Sequence, residues 1–484
     1  MSKPDQYPNN PKHLWDIFYD FTQTPRPSKF EGKISEYILN LAQTKNLKTN
    51  IDGAGNIIIY VPGKNGREND EPLIIQNHID MVTDALPGYK INFKEDPLDI
   101  YVENGWLCAN STTLGADNGI GCAAALATIF DESLSHPPLE LLFTTDEETG
   151  LNGALGLEVE HLKSKKMLNL DTEEWGSLYI GCAGGIDYDF NRDLDLTESK
   201  KDLVVRLSVS DFIGGHSGLD IHEQRGNSNK VLITLIQRLS REIGVELESF
   251  RCGKAHNIIP RDGFSVLRID KSDYTKAQDL INEYKEELLG FLPKNDQKFK
   301  FTLEKLDFYE ASVLEKREFQ NILTFLTLFP HGAHSFDLND REITSTSNNM
   351  AVVIIMNAKL YVLSSLRFFD RNEIKSIEQK LISLSEASHV IWSKNSEYPS
   401  WKPVRENPVL DTVASVYTET FNEKPQIKAI HAGLECGILR DKIGPIDVCS
   451  FGPTITGAHS PDERVEIESV ELFWKLFKNT LARI

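Results

Sequence analysis

The stretch Leu141–Gly150, with the sequence LLFTTDEETG, places three acidic residues after an apolar run that is typical of a β-strand. These residues are Asp146, Glu147 and Glu148. So many carboxylates at a strand end are unfavourable unless a cation or a proton-transfer reaction requires them. Adjacent side chains on an extended segment point in opposite directions, so one glutamate could bind a metal while its neighbour transfers protons. Taken alone, the triplet is also compatible with a solvated turn, so its partners elsewhere in the chain decide its meaning.

Length, charge and composition narrow the class of protein. A chain of 484 residues exceeds one compact core, which predicts two or more domains. The net charge of −20 argues against nucleic acid as a partner, because the phosphates would be repelled. The N-terminus lacks the features of a signal peptide, and no apolar run approaches about 18 residues, so no membrane partner is predicted. The six cysteines are scattered, which favours reduced, buried thiols in the cytoplasm.

Strands alternate with helices in the first part of the chain, which predicts an α/β fold with a mixed, largely parallel sheet. After Gly181–Gly185 the pattern changes to α+β, which predicts an inserted domain. We therefore expect a catalytic domain in two parts, residues 1–186 and residues 399–484, with the inserted domain at residues 187–398. The main predicted elements of the catalytic domain are strands Asn56–Val61, Pro72–Gln76, Leu139–Thr144, Met167–Leu170 and Ile446–Ser450, and helices Ala116–Glu132, Val409–Phe421 and Ser469–Leu481. Those of the inserted domain are strands Asp202–Val209, Phe264–Ile269 and Ala351–Ile355, and helices Asn229–Glu242 and Ser376–Leu384.

Candidate partners for the acidic triplet lie in four other segments. His78 and Asp80 are two residues apart, and a strand would turn both side chains to one face. His78 can bind a metal and Asp80 can orient its imidazole, although an incidental histidine is the better explanation of His78 alone. For Asp117, which precedes a predicted helix, a helix cap and a carboxylate shared by two cations are about equally supported. Asp171 and His459 are each compatible with a turn or loop that has no function.

Together these residues form a set of nitrogen and oxygen ligands. Two histidines with three or four carboxylates favour zinc, with cobalt or manganese as substitutes. One aspartate bridging two ions about 3.5–4 Å apart would create a two-metal hydrolytic site. A neighbouring glutamate would move the proton of the attacking water to the leaving nitrogen. The segment Gly332–Phe336 resembles the segment around His459, but no strand-end carboxylate cluster precedes it, so we expect a structural role for His334.

The motifs, in this order and spacing, resemble those of the dinuclear zinc peptidases that include carboxypeptidase G, aminoacylase, peptidase T and peptidase V. The resemblance covers nearly the whole chain, and within the family it is to the aminoacyl-histidine dipeptidases. The motifs that carry it are LWDIF, HIDMV, TTLGADNGIG, DEETG, NLDTEE, GCAGG, GGHSG, HAGLECG and GPTITGAHSPDE. The resemblance implies that His78 and Asp171 hold one zinc ion. It also implies that Glu148 and His459 hold the other and that Asp117 bridges the two.

By the same resemblance, Glu147 would be the general base and Asp80 would orient His78. The implied activity is hydrolysis of small unblocked dipeptides with a C-terminal histidine, including β-alanyl-histidine. Two alternatives stay open: an amidase acting on N-acyl amino acids with the same metal site, and a metal-binding homologue that has lost activity. The oligomeric state is open as well, with a homodimer among the alternatives.

The inserted domain would act as a lid that carries substrate-binding groups. His216 in GGHSG matches the family histidine that stabilises the tetrahedral oxyanion. Asn257 and Arg367 match the lid asparagine and arginine, and arginine would suit a free substrate carboxylate because its fork binds carboxylates in bidentate fashion. Glu435 in GLECG is our own candidate for binding the ammonium group of the substrate.

Overall fold

The computed structural model describes residues 2–338, 341 and 343–484, which form two compact units. Unit 1 comprises Met1–Gly181, Trp401–Ala429 and Leu434–Ile484, and unit 2 comprises Cys182–Ser400 and Ile430–Gly433. The predicted domain boundaries at residues 187 and 399 lie close to the transitions at residues 182 and 401. The return of residues 430–433 to unit 2 has no counterpart in the prediction.

The helices and strands have the following bounds. The α-helices are α1 (Lys12–Gln23), α2 (Gly32–Thr44), α3 (Ala116–Ala127), α4 (Asn152–Gly156), α5 (Ser228–Glu242), α6 (Tyr274–Phe291), α7 (Lys316–Leu328), α8 (Lys375–Ala387), α9 (Pro408–Phe421), α10 (Glu435–Ile443) and α11 (Ile467–Leu481). The strands are β1 (Lys48–Ile51), β2 (Ile57–Val61), β3 (Leu73–His78), β4 (Ile100–Glu103), β5 (Trp106–Ala109), β6 (Leu139–Thr144), β7 (Lys166–Asn169), β8 (Ser177–Cys182), β9 (Gly184–Asp193), β10 (Leu196–Glu198), β11 (Leu203–Ser210), β12 (Glu246–Cys252), β13 (Gly263–Ile269), β14 (Lys300–Lys305), β15 (Ser312–Leu314), β16 (Gly332–Phe336), β17 (Thr344–Met356), β18 (Lys359–Phe368), β19 (Ile391–Tyr398), β20 (Gln426–Ile430), β21 (Asp447–Ser450), β22 (Ile455–Thr456) and β23 (Arg464–Glu466).

The main sheet of unit 1 has the strand order β1-β2-β6-β3-β7-β21-β8-β20. Its central strands β6, β3, β7 and β21 run parallel, whereas β1, β2 and β8 pair in antiparallel fashion. Every residue of β3 and β6 is buried, as expected for parallel strands that are covered on both faces. The predicted mixed, largely parallel sheet is therefore confirmed. A smaller antiparallel sheet of the same unit has the order β22-β23-β5-β4.

Helix α3 packs closely on this sheet because it is rich in glycine and alanine. A Cβ atom at Gly121 would lie 2.3 Å from the carbonyl oxygen of Leu170, so only glycine permits this approach. The helix ends at Ala127, before the predicted end at Glu132. At the end of the helix the N–H of Thr128 donates to the carbonyl of residue 125, a three-residue bond that tightens the last turn.

Unit 2 is built around an antiparallel sheet with the order β14-β11-β13-β12-β17-β18-β9-β19, and β16 pairs with β17. Its apolar core includes side chains of α5, α6, α7 and α8 together with sheet residues. Strand β17 begins at Thr344, well before the predicted start at Ala351. Its polar first half, TSTSNN, is buried, and most of these residues pair with β16, with β18 or with both. An alternation of apolar residues cannot reveal such a strand.

Two further predictions concern the cysteines and the membrane. All six cysteines are free and buried, as predicted. Every helix in the described part of the chain is too short or too polar to cross a bilayer.

Candidate metal centre

The parallel strands of unit 1 bring the predicted ligands to one edge of the sheet. His78 is the last residue of β3, and Asp171 lies two residues beyond the end of β7. The turn with Glu147 and Glu148 follows β6, which is hydrogen-bonded to β3. Because the carboxyl ends of adjacent parallel strands meet at one sheet edge, these residues converge there.

Asp117 lies between the two histidines. His78 Nε2 is 3.1 Å from Asp117 Oδ1, and His459 Nε2 is 3.1 Å from Asp117 Oδ2. His78 Nε2 is also 3.4 Å from Asp171 Oδ1, and His459 Nε2 is 3.1 Å from Glu148 Oε2. The side chain of Asp117 therefore presents one oxygen to each imidazole.

The backbone decides between the two explanations of Asp117. The N-cap position of α3 is taken by Gly115 in a left-handed conformation, with φ of 69°. Asp117 lies inside the helical segment with non-helical dihedral angles, φ −77° and ψ 116°. Its carboxylate faces the histidines and does not cap the helix, which removes the cap explanation.

The donor set fits two divalent cations. His78, Asp117 and Asp171 form one group whose ligand atoms lie within 4.8 Å of one another, and Asp117, Glu148 and His459 form a second. Glu148 Oε1 is buried and has no hydrogen-bond partner among the described residues, and the buried Asp171 Oδ1 makes only the long contact of 3.4 Å with His78 Nε2 there. Buried carboxylate oxygens without a partner are unfavourable unless a cation binds them. Nitrogen and oxygen donors at this spacing suit zinc or a similar ion.

The pKa values reflect the crowding of carboxylates. Burial raises the pKa of Asp171 to about 7. The contact with His78 lowers this pKa, and the negative charge of Asp117 raises it. Burial and the neighbouring Glu148 raise the pKa of Glu147 well above its usual value. Burial opposes charge on His459, but its hydrogen bonds to Asp117 and Glu148 outweigh burial and raise its pKa. Cations bound here would relieve the repulsion among these carboxylates.

Asp80 joins His78 to the acidic turn. Asp80 Oδ1 lies 3.3 Å from His78 Nδ1 and accepts the N–H of Glu147 at 3.0 Å. Asp80 Oδ2 accepts the N–H of Glu148 at 3.2 Å and the hydroxyl of Ser28 at 2.7 Å. Burial opposes its charge, but the hydrogen bond with His78 lowers the pKa of Asp80. An ionised Asp80 is therefore placed to orient the imidazole.

Two buried charged residues near the site have no counterpart in the sequence prediction. The carboxylate of Glu463 accepts four backbone N–H groups, those of residues 114 to 117. Burial raises the pKa of Glu463 to about 7, although the hydrogen bond from the N–H of Gly115 lowers it. Arg26 is 2% exposed and donates to the carbonyl groups of Ile79, Asp80 and Gly115. The available signals were the acidic run that follows His459 and the Pro-Arg-Pro break in the first helical region.

Glu435, the candidate for the substrate ammonium group, is fully buried at the start of α10. Its Oε2 accepts from Gln76 Nε2 at 2.6 Å and from Thr144 Oγ1 at 2.5 Å. Its Oε1 has no hydrogen-bond partner among the described residues, and burial raises its pKa to about 7. The assignment of Glu435 to the ammonium group stays a prediction.

In unit 2 the segments of His216 and Asn257 are paired. The N–H of Ser217 donates to the carbonyl of Asn257 at 2.7 Å, and the N–H of Ile259 donates to the carbonyl of Gly215 at 2.9 Å. His216 Nδ1 accepts the backbone N–H groups of residues 218 and 219 at 3.3 and 3.2 Å. This acceptor role leaves the proton of a neutral imidazole on Nε2, which makes Nε2 a donor.

Arg367 and His334, for which the sequence also predicted roles, lie in unit 2 as well. Arg367 lies on β18, opposite Ser347 of β17. His334 lies on β16, in a strand that pairs with β17, and takes no part in a metal-ligand group of the described residues.

The comparisons with known proteins identify the family. Residues 74–483 match the model of peptidase family M20/M25/M40, so the chain belongs to this family of metal-dependent peptidases. It is 36% identical over 478 residues to the cytosol non-specific dipeptidase of Escherichia coli K12, a match that covers 98% of each chain.

Solved structures support the same grouping. The aminoacylhistidine dipeptidase from Vibrio alginolyticus matches with a TM-score of 0.85 and 34% identity, over 100% of this chain and 98% of that chain. The aminopeptidase PepT from Bacillus cereus matches with a TM-score of 0.56 and 14% identity, over 97% of this chain and 98% of that chain, which shows the fold alone. The predicted fold and enzyme class, a metal-dependent peptidase, are confirmed.

Proposed function

We propose that this protein is a two-metal dipeptidase that hydrolyses unblocked dipeptides, including those with a C-terminal histidine such as β-alanyl-histidine. The observation that carries the proposal is the pair of ligand groups that share Asp117. The printed names of the relatives support the substrate class: the E. coli relative is a dipeptidase, and the Vibrio structure is an aminoacylhistidine dipeptidase.

We assign the ligands as the geometry suggests. His78 and Asp171 would hold one ion, Glu148 and His459 the other, and Asp117 both. Zinc is the ion we propose, because imidazole nitrogens and carboxylate oxygens form the ligand set. Bound here, such ions would polarise the scissile carbonyl and lower the pKa of water.

Glu147 is the proposed general base. It lies next to Glu148, and its pKa is raised well above its usual value by burial and by that neighbour. A carboxylate of raised pKa takes a proton from water more readily and returns it to the leaving nitrogen. Asp80 assists by holding the imidazole of His78 in one tautomer, through the contact with Nδ1.

Unit 2 would supply the groups that bind the rest of the substrate and would act as a lid. The Nε2–H of His216 would donate to the oxyanion, a role that its tautomer supports. Asn257 would assist in the same region, because its segment is paired with that of His216. Arg367 would bind the free carboxylate of the dipeptide.

The test measures hydrolysis by purified protein loaded with zinc. Alanyl-histidine and β-alanyl-histidine should be cleaved, and a chelator should abolish cleavage until zinc is restored. The variant Glu147→Ala should keep its metal and lose turnover by about a thousandfold or more. Full turnover of Glu147→Ala would disprove the assignment of the base. Cleavage of acetylated amino acids in preference to dipeptides would point instead to an amidase.

Two further proposals concern the cell and the assembly. We propose a cytoplasmic location, in line with the name of the E. coli relative, a cytosol dipeptidase. A homodimer stays a prediction, which analytical ultracentrifugation tests.

A further inference from the structure

Arg367 of unit 2 is a buried cation, 4% exposed, in polar surroundings. Its Nη1 donates to the hydroxyl of Tyr398 at 3.1 Å, while its Nε is buried and has no hydrogen-bond partner among the described residues. The cationic fork of arginine is normally matched by a carboxylate or phosphate when it is buried.

The sheet explains how Tyr398 reaches the arginine. Gly185 of β9 pairs with Arg367 on one side and with Tyr398 on the other. A Cβ atom at Gly185 would lie 2.5 Å from the ring of Tyr398, so the ring occupies the space above the glycine. Glycine at this position therefore lets the tyrosine lie across the strand toward the guanidinium.

Ser347 lies next to Arg367 on the β17 side of strand β18, away from Gly185 of β9. Ser347 is the direct partner of Arg367 across β17 and β18, and directly opposite residues share one face of a sheet. The hydroxyl of Ser347 lies 2.8 Å from Nε2 of His431. His431 belongs to HAGLECG, and it is one of the residues 430–433 that return to unit 2.

One ring nitrogen of His431 has no hydrogen-bond partner in the described part of the chain. The ring is buried, and Nδ1 has no hydrogen-bond partner among the described residues. Burial, followed by the charge of Arg367, lowers the pKa of His431 to about 3, so the imidazole is neutral at neutral pH. A neutral imidazole has one N–H and one acceptor nitrogen. If Ser347 donates to Nε2, the N–H lies on Nδ1, and Nδ1 of His431 becomes a hydrogen-bond donor.

We propose that His431 is a substrate-binding residue whose Nδ1–H, next to the guanidinium of Arg367, donates to the C-terminal carboxylate of the dipeptide. Ser347 is then a positioning residue that sets the tautomer of His431. The inference rests on the proposed function and deepens it, because a carboxylate held by both groups selects substrates with a free C-terminus. A site that hydrogen-bonds a group strongly rejects analogues that lack it.

The experiment compares a dipeptide that has a free carboxylate with the same dipeptide as its C-terminal amide. Wild type should prefer the acid. The variant His431→Phe, similar in size but without a donor, should lower kcat/KM for the acid by about 10- to 100-fold, mainly through KM. The value for the amide should stay within about threefold, because the amide does not use the carboxylate contact. Ser347→Ala should give a smaller loss in the same direction, and His334→Asn, at an exposed histidine of the same unit, should match wild type.

Calorimetric titration of Glu147→Ala, with and without His431→Phe, measures binding of the two peptides independently of turnover. The acid should bind at least about tenfold more tightly than the amide only when His431 is present. Equal losses for acid and amide, or no loss for either, would overturn the role of His431. Absence of turnover in wild type would refute the dipeptidase proposal, and the binding data would still decide the role of His431.

Discussion

Replacing Glu463 by glutamine removes one of the two oxygens that accept the backbone N–H groups of residues 114–117. Glu463 Oε2 accepts the N–H groups of residues 114 and 115 at 2.7 and 2.9 Å. Glu463 Oε1 accepts those of residues 116 and 117 at 2.7 and 3.3 Å. The amide of glutamine has one oxygen, so its NH2 group would face two N–H donors that then lack an acceptor.

The size of the effect follows from these two donors. A buried N–H that loses its acceptor costs about 1–3 kcal/mol, so the two cost about 2–6 kcal/mol. The segment can relieve this only by moving, and it carries Asp117, the carboxylate between His78 and His459. If the free energy of metal binding is weakened by the lower value, about 2 kcal/mol, the affinity for the metal falls by about 30-fold, since about 1.4 kcal/mol corresponds to a factor of ten.

The assay is zinc affinity by chelator competition, together with kcat/KM on a dipeptide. Glu463→Gln should bind zinc at least about 30-fold more weakly and regain activity only at raised zinc. Glu468→Gln, an exposed residue of the same segment, is the matched control and should behave as wild type. Circular dichroism confirms that the variant is folded. Zinc affinity within threefold of wild type in folded Glu463→Gln would refute the reasoning.

Three other predictions follow from the same site and from a buried histidine. Asp117→Ala should lose both metal ions together, because its two oxygens face the two histidines; elemental analysis measures this. Asp80→Asn should lower metal affinity or turnover by about 10- to 100-fold, because the partner of His78 loses its charge. Burial lowers the pKa of His136, so the folded state resists its protonation and stability falls as the pH drops below about 6.5. Urea unfolding should show that His136→Phe removes up to about 1.4 kcal/mol per pH unit of this acid sensitivity.

For each of these three predictions, one outcome would contradict it. One ion retained by Asp117→Ala would show that the aspartate does not serve both groups. Asp80→Asn with unchanged zinc affinity and turnover would remove the orienting role. The same change of unfolding free energy between pH 7 and pH 5.5 in wild type and His136→Phe would show that His136 is not the titrating group.

The candidate ligands at strand ends could be predicted from the sequence for a simple reason. Buried strands such as β3 and β6 have apolar runs, and the polar residues that follow them meet at one edge when the strands are parallel. His78 and the Glu147–Glu148 pair therefore come together without long-range information. The polar half of β17 had no such signal, because its burial depends on neighbours on both sides.

The role of Asp117 shows the limit of local patterns. Its position before a helix suits a cap, and only the observed backbone angles and the distances to His78 and His459 exclude the cap. Glu463 lies 349 residues from Leu114, whose N–H it accepts, so no local pattern links them. That His431 Nδ1 has no hydrogen-bond partner in the described part of the chain is likewise a result of packing.

The order of residues alone determined the α/β architecture with its inserted domain and the chemistry of the candidate ligands, because periodicity and strand-end carboxylates are local properties. Tertiary structure alone decided which groups meet: the carboxylate between two imidazoles, the buried glutamate that accepts the N–H groups of residues 114–117, and the neutral histidine hydrogen-bonded to Ser347, the cross-strand partner of Arg367. Burial and pKa depend on every neighbour in space, and those neighbours come from distant parts of the chain.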